Sequence, residues 1–164
     1  AAMADFTTAY AAVPDTRMLF NNTARDVLAI AEEMMKGEIT FKAGRREEGL
    51  EHLRKAVHLD DNLSYEEPWS WPQPTRHALG ALLMEAGGYD EAAALYRADL
   101  GLDGQLPRPS QHPRNVWALH GLHECLERRG ETVERPHVKL LLDQAIARAD
   151  IPIRASCLCR AQAA

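Results

Sequence analysis

The chain has 164 residues, 46% of them apolar and 26% charged, the balance of one ordinary globular domain spanning 1–164. Nineteen Lys and Arg stand against 24 Asp and Glu, which argues against a nucleic-acid partner, since such binders usually carry a basic excess. No apolar run nears the ~20 residues of a membrane span, the start has neither part of a secretory signal, and three cysteines is an odd number for an extracellular disulfide framework. The expectation is a cytoplasmic protein with no membrane contact.

Residues 5–13 form a short apolar stripe closed by Pro14, which predicts a leading helix. From Ala24 to Phe41, Val27, Leu28, Ile30, Ala31, Met34 and Met35 recur at helical spacing. A glycine turn and a second helix over 47–59 follow. The pattern returns at 78–100, where a helix, Gly87-Gly88 and a helix from Asp90 succeed one another, and again from Trp117 through Gly130 to a helix over 136–149. Mid-helix Gly37, Gly80 and Gly121 each cost ~1 kcal/mol relative to Ala, so they predict close approach of a neighbouring helix. No stretch alternates long enough to predict a strand. The expected core contains Leu28, Ala31, Met35, Leu53, Ala56, Leu79, Leu83, Ala92, Tyr96, Leu119 and Leu122.

The run Ala78-Leu79-Gly80, then Leu83, the glycine turn, Glu91-Ala92 and the aromatic Tyr96 resembles the tetratricopeptide repeat. Together with Tyr65 to Trp71, Arg76 and Asn115-Val116-Trp117, the pattern resembles the C-terminal repeats of larger bacterial and fungal proteins of that family. The resemblance implies an all-α, TPR-like solenoid of about three helical hairpins, at roughly 22–59, 74–100 and 115–149, with a leading N-terminal helix and a tail at 150–164. It also implies either a missing N-terminal repeat region or self-association through the leading helix.

The units exceed the usual 34 residues, and the surplus falls after each second helix, at 60–74, 101–114 and 151–164. Repeat-wise insertions often build one binding edge. Tyr65, Glu67, Trp69 and Trp71 lie in the first insert, and aromatic residues dominate binding hot spots. Arg76, His77, Met84, Asn115 and Trp117 fall on or beside the first helices, which in such stacks line the concave face. These nine residues are the expected contacts for a peptide or partner protein, or for a small molecule.

A second set carries different chemistry. His112, His120 and His123, with Cys157 and Cys159 in the tail, offer imidazole and thiolate ligands suited to zinc or copper. A three-ligand site with an open position would permit hydrolysis or redox chemistry, with Glu124 or Glu67 as proton carrier. No phosphate-binding glycine loop, Gly-x-Ser-x-Gly or His-Glu-x-x-His occurs, so no catalytic set is named. The first expectation is an interaction scaffold; the alternative is a metal- or small-molecule-binding protein, or a metalloenzyme.

Overall fold

The computed structural model describes residues 2–160; residue 1 and residues 161–164, the end of the expected tail, lie outside the described residues. Those described are mostly helical: seven α-helices, a 3-10 turn at Arg108–Ser110 and a two-stranded ribbon. They fall in two compact units, Ala1–Thr75 and Arg76–Ala164.

The first unit holds α1 (Ala2–Ala11), β1 (Met18–Leu19), β2 (Asn22–Thr23), α2 (Ala24–Lys42) and α3 (Arg46–Asp61). The ribbon corrects the expectation of no strand. Its strands pair antiparallel with Leu19 opposite Asn22, and two residues each are too few to leave an alternating pattern in the sequence. Phe20 at the tip has φ 51°, a left-handed conformation that costs a non-glycine residue roughly 1–2 kcal/mol. Helix α2 starts where Thr23 Oγ1 accepts the Asp26 N–H at 3.1 Å. Its buried stripe is Val27, Ile30, Met34 and Phe41. The expected core residues Leu28, Ala31 and Met35 are only half buried, because they lie on the row beside that stripe.

Helices α2 and α3 pack closely because Gly37 leaves room: a Cβ there would stand 2.6 Å from Leu53 Cγ. Glu33, buried on α2, lies 2.6 Å from His52 Nδ1 and accepts from Lys55 Nζ at 2.9 Å. Burial pushes its carboxyl up, but the bonds to His52 and Lys55 and the charges of Lys55 and Lys36 outweigh burial and hold it below the usual range.

The second unit holds α4 (Thr75–Ala86, which begins one residue before it), α5 (Tyr89–Leu100), α6 (Val116–Arg128) and α7 (Arg135–Ile146). Tyr96, fully buried, is its centre. A Cβ on Gly80 would meet the Tyr96 ring at 2.5 Å, and one on Gly121 would meet the same ring. The three glycines singled out in the sequence are therefore sites of close packing. Leu53, Ala56, Leu79, Leu83, Ala92, Leu119 and Leu122 are buried as expected.

One glycine turn, which also ends α5 at Gly101 (φ 72°, Leu102 N–H to Arg97 O at 2.9 Å), recurs at three equally spaced positions. Gly44, Gly87 and Gly130, each 43 residues after the last, have φ of 91°, 87° and 66°. In each, the following N–H returns to a carbonyl five residues back: Arg45 to Thr40 at 3.2 Å, Gly88 to Leu83 at 2.8 Å, Glu131 to Leu126 at 2.9 Å. That is the left-handed helix stop in which glycine avoids a Cβ clash.

Candidate functional site

In the first unit, the start of α2 and the end of α3 border a cleft of ≈ 320 Å³, within the range of small-ligand pockets. Asn21, Asn22, Thr23 and Asp26 line it from the ribbon and α2, and Leu59, Asn62, Leu63 and Ser64 from the end of α3 and the following loop. Beyond Ser64 runs the aromatic insert, and the two asparagines of the ribbon fasten it. Asn21 Nδ2 donates to Tyr65 O at 2.7 Å. Asn22, 5% exposed, donates to Ser64 O at 2.9 Å, to Glu66 Oε1 and to Ser70 Oγ at 3.2 Å, while its Oδ1 accepts Ser64 N–H at 2.7 Å.

The insert divides into an inner and an outer set. Glu66 is buried, its Oε2 without a hydrogen-bond partner among the described residues, and Trp71 is half buried with its Nε1 likewise unpartnered. Tyr65 and Trp69 instead remain 55% and 48% exposed. Tyr65 donates its hydroxyl to Glu67 Oε1, and that bond raises the phenol's pKa. Tyr65 and Glu67 thus meet at the surface, and Trp69 is exposed further along the same insert. Asn21 and Asn22 were not singled out in the sequence, although Thr23-x-x-Asp26 is a helix-start signature that marks where they sit.

The other expected contacts lie in the second unit or at its edge, and several have structural work there. Asn115 caps α6, its Oδ1 accepting Trp117 N–H at 2.9 Å and Ala118 N–H at 3.2 Å. Met84 is buried and accepts the Cys125 thiol at 3.0 Å. His77, 3% exposed, stands 2.9 Å from Asp99 Oδ2, and His112 Nδ1 is 2.8 Å from Oδ1 of the same carboxylate. Burial would raise Asp99, but the bonds to His112 and His77 outweigh it and hold the carboxyl low. Arg76 and Trp117 are half buried.

The expected metal ligands are not brought together. Cys157 and Cys159 are bonded to each other as a disulfide, their Cα atoms 5.3 Å apart, so in this state neither sulfur is a thiolate ligand. His112 is held by Asp99, and His120 and His123 lie on α6. His120 Nδ1 is buried without a hydrogen-bond partner, and burial lowers the pKa of its imidazole. Glu124 takes a two-pronged ion pair from Arg160 at 2.7 and 2.8 Å, which outweighs burial and lowers its pKa. Among the described residues, no group of three or more His, Cys, Asp and Glu side chains is placed to hold a metal ion, and no helix is long and apolar enough to cross a membrane.

The chain matches no protein-family model, no curated protein and no solved structure.

Proposed function

We propose that the protein is an interaction scaffold built from TPR-like helical hairpins, which binds a peptide or partner protein through the insert-bearing edge of its first unit. One observation carries this reading: Tyr65 and Trp69 stand about half exposed on a loop whose backbone is tied down by Asn21 and Asn22. Large aromatic side chains in the open are costly unless something covers them, and they dominate binding hot spots. Anchoring the loop beforehand lowers the ordering cost that a partner must offset. The threefold recurrence of one turn at a 43-residue interval supports the repeat reading, and repeat proteins bind through extended surfaces of this kind.

A random-peptide display screen against the purified chain tests it. A consensus should emerge whose members bind about tenfold more weakly to Trp69→Ala, a difference of ~1.4 kcal/mol. No enrichment, or binding indifferent to Trp69→Ala and Tyr65→Ala, overturns the reading.

A further inference from the structure

The donor and acceptor balance of the first-unit cleft names the chemistry of its occupant. Resting on the scaffold reading above, we infer that the cleft receives the cationic side chain, lysine or arginine, of a bound peptide. Most of the amide donors that line it are committed inside the protein. Asn21 Nδ2 is on Tyr65 O at 2.7 Å, Asn62 Nδ2 is on His58 O at 2.7 Å, and Asn22 Nδ2 serves Ser64, Glu66 and Ser70. Three of these partners, Tyr65 O, His58 O and Ser64 O, are carbonyls, which can only accept, so the Asn21, Asn62 and Asn22 amides have their nitrogens turned to the protein. The hydroxyl of Thr23 is committed too, donating to Asp26 Oδ2 at 2.6 Å.

What the lining side chains still offer are acceptors: Asn21 Oδ1, Asn62 Oδ1 and Asp26 Oδ1. The second amide hydrogen of Asn21, and Ser64 Oγ, a hydroxyl that turns either way, are the exceptions. Asp26 is the one charged residue of the lining, and no Lys or Arg belongs to it. Helix ends of opposite sign meet there, the start of α2 and the end of α3. Thr23 and the Asp26 carboxylate answer the positive end of α2. At the negative end of α3 stand Asp60 and Asp61, with His58 as the basic residue of its last turn. The balance favours a ligand that brings hydrogen-bond donors and positive charge, which an ammonium or guanidinium group does. Ala29, Leu59 and Leu63 supply apolar wall for the methylene stem of such a side chain. The cleft also sits one hydrogen bond, Asn21 to Tyr65 O, from the exposed Tyr65, so one short peptide can reach both.

Amide-shift titration by nuclear magnetic resonance tests this with defined probes: N-acetyl-arginine amide, N-acetyl-lysine amide, neutral N-acetyl-citrulline amide and putrescine. The arginine and lysine probes should shift the signals of Asn21, Asn22, Asp26 and Asn62. The citrulline probe should not. Asp26→Asn should weaken binding about tenfold, with Asp26→Glu retaining most of it and both variants remaining folded, the Asn variant melting slightly lower for its lost charge at the start of α2. Shifts equal for citrulline, or no shift with any cation, overturn the assignment. Putrescine binding without the blocked amino acids gives the cleft to a free amine and overturns the peptide assignment. If displayed peptides bind through Trp69 yet carry no Lys or Arg, the scaffold stands and this inference fails. If the cationic probes bind and no displayed peptide does, the scaffold fails and the cleft keeps its preference for cations but loses its peptide.

Discussion

The hydroxyl of Tyr96 meets Ser156 Oγ at 2.5 Å, sixty residues along the chain and fully buried. The C-terminal tail, with Ala155, Ser156 and Cys157 all buried, is thereby fastened to the centre of the second unit. Removing one hydroxyl leaves the other buried without a partner, a cost of about 1–3 kcal/mol. Tyr96→Phe and Ser156→Ala should each lower stability by about that amount in urea unfolding, and the double variant should lose less than their sum. Strictly additive losses would show that the bond contributes nothing.

Alkali should destabilise the protein through two buried groups. Burial pushes the Cys125 thiol up to about 12 and raises the Tyr96 phenol further. Unfolded thiols and phenols lose their protons near about pH 8.5 and about pH 10. Above those values the unfolded chain therefore holds fewer protons than the native one, and stability falls as pH rises. The stabilisation is fully present below about pH 8.5 and is lost through the folded pKa values. Unfolding at stepped pH should show this decline, with a shallower slope for Cys125→Ala. A flat profile to about pH 11 contradicts the buried placement of both groups.

At an ordinary helical position, Gly→Ala stabilises by roughly 1 kcal/mol. Gly121→Ala should do the reverse, because its Cβ would run into the Tyr96 ring at an overpacking cost of about 1–3 kcal/mol. Introducing Gly121→Ala into a Tyr96→Leu background should cost much less than in the parent. A melting temperature raised by Gly121→Ala alone would show that the two do not touch.

Asn115→Ala separates a cap from a contact. Loss of the two bonds to Trp117 and Ala118 N–H should cost ~1 kcal/mol of stability, with Asn115→Asp restoring most of it. Display-selected peptides should bind Asn115→Ala as well as the parent. Weaker peptide binding at unchanged stability would make Asn115 a ligand contact instead.

Helices α2, α4 and α6 were legible because the apolar stripe of each ends in a glycine whose missing Cβ the turn requires, at Gly44, Gly87 and Gly130. Helix-facing glycines were legible for a similar reason: Gly80 is a poor helix former unless something presses on it, and Tyr96 does. The ribbon was not, since Met18-Leu19 and Asn22-Thr23 are too short to show a period. Half of the candidate site followed from composition, as Tyr65 and Trp69 are rare and chemically loud. The anchoring half did not. Asn21 and Asn22 act on residues more than forty positions away, and nothing local distinguishes such asparagines from those of any solvated turn. Cys157 and Cys159 show a different ambiguity: a spacing that suits a metal equally lets the two sulfurs reach each other.

The ring of Tyr96 lies against glycines of two different helices, one before it in the chain and one after it. Three positions are therefore packed as one unit. A line of descent that shrinks residue 96 opens a void toward both 80 and 121, and one that enlarges either glycine displaces the ring from both. Single steps away from the set are disfavoured, whereas coordinated ones are open, so related chains should vary at 80, 96 and 121 in concert, an aromatic always in the company of two small residues. Such joint drift would mark this kind of hairpin in sequences whose other positions have lost all likeness.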